Sequence, residues 1–191
     1  MGAGYLTHPA IFLVQVLFGL YATLVVLRFL LQLTRADFYN PLSQFIVRAT
    51  KPALNPLRRL IPGLSGMDIA ALVLAWLVIS LEQLAILGLA GSGFQPAAAA
   101  LLAIPELISL IINIFLFAIL IGVIISWINP GSYNPAISLI HSLTEPLLGP
   151  VRRRIPDMGG LDLSPMVVML GLVVLEMLLI PPIKELIGQL L

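Results

Sequence analysis

One 30-residue segment occurs twice in this chain. Residues 39–68 recur without a gap 94 residues later, at 133–162, and fourteen of the thirty aligned positions are identical. Unrelated segments of this composition would share only about two or three identities, so the sequence indicates an internal duplication. Hydrophobic runs flank both copies. We therefore predict two tandem units, 1–94 and 95–191, each built as a helix, an amphipathic connector and a second helix.

The composition is that of an integral membrane protein. Hydrophobic residues make up 60% of the chain and charged residues 10%, against roughly 45–50% and 25% in soluble domains. Four runs are long and apolar enough to cross a bilayer, at about Pro9–Leu33, Ile69–Ala90, Ile104–Ile128 and Leu163–Ile180. The predicted fold class is an all-α membrane protein with four transmembrane helices. Because Pro181 and Pro182 interrupt the helical hydrogen bonding, we expect Ile183–Leu191 to form a separate surface helix.

Basic residues are concentrated in the two connectors, at about 35–67 and 129–161, which hold eight of the ten Lys and Arg residues. The positive-inside rule then predicts that both connectors face the cytoplasm and that both termini are periplasmic. The expected location is the bacterial cytoplasmic (inner) membrane. Two parallel units predict a pseudo-twofold axis along the membrane normal. Arg28, near the cytoplasmic end of the first span, is expected to snorkel toward the headgroups.

Each connector has the apolar periodicity of a surface helix. In the first copy the spacing i, i+3, i+4, i+7 is occupied by Leu42, Phe45, Ile46 and Ala49. We expect Pro52 and its counterpart Pro146 to end these helices. Asn55 is then expected to cap a separate, proline-bracketed turn that carries the paired arginines.

The arginines of these turns are the main candidate binding residues: Arg58, Arg59, Arg152, Arg153 and Arg154. One interpretation places them among anionic lipid headgroups, at about 1 kcal/mol of attraction each. In another, matched pairs converge near the axis to bind a phospholipid headgroup, an anion or an acidic partner protein, since guanidinium forks suit phosphate and carboxylate. A homo-oligomer is a further candidate assembly. Nucleic acid is not expected, because the connectors lack base-reading residues.

Six acidic and amide residues, apart from the arginines, are also candidates. Asp68 and Asp162 directly precede the second and fourth spans, where a carboxylate caps a helix and complements its dipole; proton or ion handling is the alternative. Inside the membrane, the equivalent residues Glu82 and Glu176 are functional candidates by default.

The helical rise of about 1.5 Å per residue places Gln15 and Asn113 at a depth similar to that of Glu82 and Glu176. The resulting polar layer would join helices, conduct protons or cations, or be solvated at the outer interface. No catalytic motif is visible, so we do not expect an enzyme. His8 and His141 have no partner pattern and cysteine is absent, so neither a metal site nor a bound cofactor is predicted.

Four motifs resemble the YggT family, also called YlmG-like, of small bacterial and plastid membrane proteins. They are DFYNP at 37–41, PLRRLIP at 56–62, PVRRRIP at 150–156 and MGGLDLSP at 158–165. The resemblance implies links with osmotic-shock tolerance and cation homeostasis in bacteria, and with nucleoid distribution and cytochrome b6f assembly in plastids. It assigns no catalytic or binding residues.

Three functional hypotheses follow. The first is a non-enzymatic scaffold or assembly factor in envelope or osmotic stress tolerance, using the arginines of the connectors. The alternative is an ion-conducting or ion-regulating protein for potassium, sodium or protons, using the intramembrane carboxylates. A third, weaker hypothesis is assembly of haem proteins or cytochrome complexes.

Overall fold

The computed structural model describes residues 3–63, 66–128, 134–155 and 162–191. They form six helices, α1 (Ala3–Leu33), α2 (Pro41–Leu60), α3 (Ile69–Leu89), α4 (Pro96–Ile128), α5 (Pro135–Arg152) and α6 (Ser164–Leu190). Helices α1, α3, α4 and α6 are long and apolar enough to cross a membrane, which confirms the four-span helical fold. Tyr133, at the start of the second repeat motif, and the whole MGGL sequence at 158–161 lie outside the described residues.

The connectors are single helices, α2 and α5, that begin at equivalent asparagines. Asn40 Oδ1 accepts the Leu42 backbone N–H at 2.9 Å, and Asn134 Oδ1 accepts that of Ala136 at 2.9 Å. A proline follows each asparagine at the first helical position, where its missing N–H costs nothing. Each connector is thus pre-set to start a helix at the same point of the repeat.

The prediction that Pro52 and Pro146 end the connector helices is wrong. Helix α2 continues through Pro52 and Pro56, and α5 through its equivalent prolines, so Asn55 lies inside α2 and caps nothing. Pro52 and Pro56 are on the exposed side of α2. Solvent or headgroups there can satisfy the carbonyl groups that proline leaves without a donor, so the helix survives.

The separate surface helix predicted for Ile183–Leu191 is also wrong. Helix α6 runs without interruption through Pro181 and Pro182 to Leu190. Membrane helices tolerate internal prolines when neighbouring groups hold the chain in place. Here Lys184 Nζ donates to Glu106 Oε1 of α4 at 2.9 Å, which fixes the last turns of α6 against the bundle.

The four spans form an open row in the order α1, α3, α4, α6. Each contacts the next, and α1 also has a smaller contact with α4. Over their described lengths, α1 and α6 have no Cα–Cα distance of 8 Å or less. A twofold axis that places α3 against α4 would also place α6 against α1, so the predicted pseudo-twofold arrangement is wrong. The repeats are instead related as successive members of a row.

Most buried residues of the main core cluster come from α1 and α3. Buried Val25, Val26 and Leu30 of α1 pack in one cluster with buried Ala71 and Ala75 of α3. Small residues let helix backbones approach closely, which matters in a membrane because lipid offers no hydrophobic drive for association. Leu54 of α2 and Leu143 of α5 reach the same cluster. The connectors are therefore packed against the spans rather than attached to them loosely.

Candidate functional site

An arginine–aspartate pair closes the junction between α2 and α3. Arg58 Nε donates to Asp68 Oδ2 at 3.2 Å, and Arg58 Nη2 contacts the same oxygen. Asp68 is the N-cap residue of α3, where its Oδ1 accepts the Ala71 backbone N–H at 3.3 Å. The Asp68 side chain is 5% exposed and that of Arg58 37%. One carboxylate thus caps a span and holds the end of the connector.

Helix α1 joins the same junction through Gln32. Its Nε2 donates to Gly66 O at 3.3 Å, and its Oε1 accepts Arg58 Nη2 at 3.5 Å. Gly66 has φ of 84°, in the region that favours glycine. Three helices therefore meet at a turn whose geometry requires the glycine found in both copies of the repeat.

The second repeat builds an equivalent junction. Arg152 Nε donates to Asp162 Oδ2 at 3.0 Å, again across ten residues, and Arg152 Nη1 donates to Glu145 Oε2 at 3.2 Å. Asp162 Oδ1 accepts the Ser164 backbone N–H at 2.9 Å. The N-cap residue of α6 is Leu163, however, so Asp162 supports the helix start from one position earlier than predicted.

The charges of this second pair reinforce each other. Burial alone would raise the pKa of the Asp162 carboxyl, but hydrogen bonding to Ser164 and Arg152, together with the Arg152 charge, holds it below its ordinary value. Burial alone would likewise lower the pKa of Arg152, and Asp162 and Glu145 raise it instead. Both groups are therefore charged at neutral pH and form a partly exposed ion pair.

The remaining arginines of the motif are exposed. Within the described residues, no hydrogen bond or ion pair engages the side chains of Arg59, Arg153 or Arg154. Arg153 also borders an open groove of about 450 Å³ beside Thr34 and Glu145. The predicted set of arginines is thus divided by role: Arg58 and Arg152 close junctions, and the other three face outward.

Arg28 makes a contact that the sequence did not reveal. Its side chain is buried, and Nη1 donates to Thr50 Oγ1 at 2.8 Å and to Val47 O at 3.1 Å, both in α2. The expectation that Arg28 snorkels to the headgroups is wrong, because its side chain is buried against acceptors of α2. The repeat gave no signal for this contact: Thr50 recurs as Thr144, but Gly122 stands where the second repeat would have its arginine.

The two connectors are also joined to each other. Asn40 Nδ2 donates to Pro135 O at 2.6 Å, so the start of α2 is linked to the start of α5. Ile46 of α2 and Leu139 of α5 lie in one small apolar cluster. On the outer side of α2, Phe45 remains 61% exposed. The two helices with their exposed arginines form one continuous surface, which we call the connector platform.

The predicted polar layer does not assemble as one cluster. Gln15 is exposed on α1, while Glu82, Asn113 and Glu176 are half-buried on three different spans. Asn113 Nδ2 donates to Ser109 O of its own helix at 2.9 Å. Over their described lengths α3 and α6 share no contact, so Glu82 and Glu176 are not brought together.

A polar contact between spans does occur elsewhere, and the sequence analysis missed it. Lys184 and Glu106 join α6 to α4, with side chains 51% and 41% exposed. They are separated by 78 positions in the sequence, and no counterpart exists in the first repeat, where Phe12 and Ala90 are the equivalent residues. Repeat comparison therefore offered no signal for this pair.

Comparison with known proteins identifies relatives of the whole chain. The model of the CCB3/YggT family matches residues 7–89 and again residues 101–183. These matches are offset by 94 residues, the same offset as the repeated motif. An uncharacterized protein of Pseudomonas aeruginosa is 51% identical over 96% of this chain and 94% of its own length. An uncharacterized protein of Vibrio alginolyticus is 42% identical over 84% of this chain and 88% of its own length. The uncharacterized protein YggT of Escherichia coli is 36% identical over 87% of this chain and 86% of its own length. No solved structure matches the chain.

Proposed function

Because the chain belongs to the CCB3/YggT family, whose relatives named above carry no enzymatic name, we propose that it is a non-enzymatic membrane scaffold. In this proposal the connector platform faces the cytoplasm and engages anionic headgroups or an acidic partner protein. The biological role would be assembly or stabilisation of membrane components during envelope or osmotic stress. Its site of action would be the bacterial cytoplasmic membrane.

The observation that carries the proposal is the division of the arginines in each repeat. Arg58 and Arg152 bind the aspartates just before the following spans, which fixes the end of each connector relative to those spans. The next arginine in each copy is then exposed beside this fixed point, Arg59 in the last turn of α2 and Arg153 directly after α5. A guanidinium on a fixed backbone loses less entropy when it binds than one on a flexible loop.

The chemistry of the platform favours ligands that are both anionic and close to hydrocarbon. Exposed Arg48, Lys51 and Arg59 lie along α2, and the exposed Leu42 and Phe45 are on the same helix. A helix of this type lies at the interface, with cations at headgroup level and apolar residues in the acyl region. Phosphate headgroups meet both requirements, and so does an acidic membrane protein.

Replacement of the exposed arginines tests the proposal. We expect Arg59→Ala/Arg153→Ala/Arg154→Ala to lose bound anionic phospholipid in native mass spectrometry and to fail to restore osmotic-shock survival in a strain that lacks the protein. The matched control is Lys184→Ala, which removes a cation from the other end of the spans. Unchanged lipid retention and unchanged survival in the triple variant would refute the proposal.

Ion conduction through the carboxylates has less support, because Glu82 and Glu176 lie on helices that do not touch. Liposome flux of potassium, sodium and protons separates this function from the scaffold. We expect background flux for the wild type and for Glu82→Gln/Glu176→Gln. Flux above background that disappears in the double variant would favour the ion hypothesis instead.

A further inference from the structure

The internal contact between the repeats uses one face of α3 and one face of α4. Trp76 of α3 reaches across to α4, where its Nε1 donates to Ala100 O at 2.9 Å. Leu72 and Trp76, one turn apart, both pack against the main core cluster. This is the largest contact between helices of the two repeats.

The partner face on α4 is a stripe of large aliphatic side chains. All of them pack into or against the cluster that α4 shares with α3, and they are Leu107, Leu110, Ile111 and Ile114. Their spacing of three, one and three residues keeps them on one side of the helix. Helix α4 therefore presents this side to the preceding repeat.

Each of these faces has a repeat equivalent at an end of the row, and both equivalents are exposed. Adding 94 to Leu72 and Trp76 gives Met166 and Leu170 on α6, which are 62% and 65% exposed. Subtracting 94 from the α4 stripe gives four exposed side chains of α1, Leu13 at 58%, Val16 at 46%, Leu17 at 66% and Leu20 at 62%. The opposite side of α1, with Val25 and Val26, is buried against the core.

We propose that α6 of one copy binds α1 of a second copy, repeating between chains the contact that α3 makes with α4 within the chain. An apolar exposed side chain on a membrane helix is ordinarily covered by lipid, so exposure alone would not support this. The support is that both unpartnered faces are the repeat counterparts of faces that pack into one core cluster within the chain and that the Trp76–Ala100 hydrogen bond joins. This interaction surface does not depend on the proposed function.

The contact joins two different surfaces, so it is heterologous. Such a contact continues from copy to copy until the rotation closes a ring. An isologous dimer, by contrast, would pair α1 with α1 or α6 with α6. The two arrangements are distinguished by which residues cross-link.

The lack of cysteine in the chain makes a direct test simple. The counterpart of the Trp76–Ala100 contact is Leu170 of one copy against Leu6 of the next, and both are exposed. We would co-express Leu6→Cys and Leu170→Cys as separate chains with different tags and oxidise the membranes with copper phenanthroline. Because each chain has one cysteine, every product is between chains. Both positions are exposed, so neither substitution disturbs the core.

The control is Phe117→Cys, on the central helix α4, where the side chain is 62% exposed. We expect a mixed product of Leu6→Cys with Leu170→Cys about tenfold above the Phe117→Cys product, an excess that corresponds to about 1.4 kcal/mol. Cross-linked products formed only between identical variants would contradict the proposal and would indicate an isologous dimer instead. No product above the control would mean that lipid covers both faces, and it would overturn the proposal.

Discussion

Arg28 is a charged side chain whose hydrogen bonds hold the first connector against the first span. It donates to Thr50 Oγ1 and Val47 O, and it is buried. Thr50 Oγ1 in turn donates to Ile46 O at 2.7 Å, so the hydroxyl is used both as donor and as acceptor. Hydrogen bonds from a charged donor contribute more than neutral ones.

We therefore expect Arg28→Ala to lower the free energy of unfolding by about 1.5–3 kcal/mol. Unfolding in detergent, followed by circular dichroism, measures the loss. The control is Arg59→Ala, an exposed arginine whose replacement should change stability by no more than about 0.5 kcal/mol. A double-mutant cycle with Thr50→Val should show coupling of at least about 0.5 kcal/mol. Equal stability of Arg28→Ala and Arg59→Ala would contradict the assignment.

The ionisation of Asp162 makes the stability of the folded protein depend on pH. Its pKa is held below the ordinary aspartate value in the folded protein, so the ionised form is favoured by folding. The stability it contributes is complete above about pH 4, the ordinary value, and is lost as the pH falls through the lowered folded pKa. The difference in melting temperature between wild type and Asp162→Asn should therefore shrink from pH 6 to pH 3. A gap that stays constant over this range would show that the ion pair is not the source.

Sequence reasoning found the residues of the arginine–aspartate junctions but not their connections. The repetition of Arg58 and Asp68 as Arg152 and Asp162 marked them as candidates, because matched polar residues stand out in a duplicated chain. Their pairing was not predicted, because the nine residues between the two members of each pair show no helical or strand periodicity in the sequence. Arg28 was assigned to the headgroups since nothing in the sequence shows that α2 packs close enough to supply acceptors.

At the scale of elements, the connectors differ in what their first residue does. Asn40 and Asn134 both cap their helices. Among the described residues, however, only Asn40 also donates to the other connector, at Pro135 O. Comparing variants of Asn134 and Asn40 therefore separates the effect of a helix cap from the effect of the added hydrogen bond between connectors.

We expect Asn134→Ala to cost about 0.5–2 kcal/mol, as the loss of a helix cap does. Asn40→Ala should cost about 0.5–1.5 kcal/mol more, because it also removes the hydrogen bond between connectors. Chemical unfolding of the two variants under the same conditions gives the difference. If both variants lose the same stability, the bond to Pro135 contributes nothing.

The helices showed which sequence signals are reliable at this scale. Long apolar runs located all four spans, because the bilayer requires about twenty apolar residues to cross. The helix ends predicted at Pro52, at Pro146 and at the Pro181–Pro182 pair were wrong. The rule that proline stops a helix assumes that the freed carbonyl has no other partner, and at these surface or tethered positions the chain continues.

For the whole molecule, the distribution of basic residues predicts that both connectors face the cytoplasm and the α3–α4 loop faces the periplasm. Single cysteines at exposed positions test this orientation: Asn55→Cys on α2, His141→Cys on α5 and Ser92→Cys in the loop. In intact cells a membrane-impermeant thiol reagent should label Ser92→Cys alone. The other two should be labelled only after permeabilisation. Labelling of one connector but not the other from the same side would contradict the parallel arrangement of the repeats.

The duplication predicted parallel units correctly but not their arrangement. Two equal units suggest a closed twofold, yet the structure shows a row in which α1 and α6 do not meet. Sequence similarity fixes what each unit looks like, whereas the contact between units depends on the side chains at α3 and α4.

The length of α4 has a consequence for the bilayer around the protein. Its 33 residues measure about 50 Å at 1.5 Å per residue, whereas a hydrocarbon core is about 30 Å thick. Even the largest usual tilt, about 40°, leaves roughly 8 Å without a place in the acyl region. Glu106 lies ten residues after the start of the helix and bonds Lys184, and a pair of charges of this kind is expected at the edge of the hydrocarbon core. The 22 residues of α4 after Glu106 measure about 33 Å, which is close to the core thickness. The alanine-rich turns before Glu106 are then expected among the headgroups, and the bilayer needs little thickening around α4.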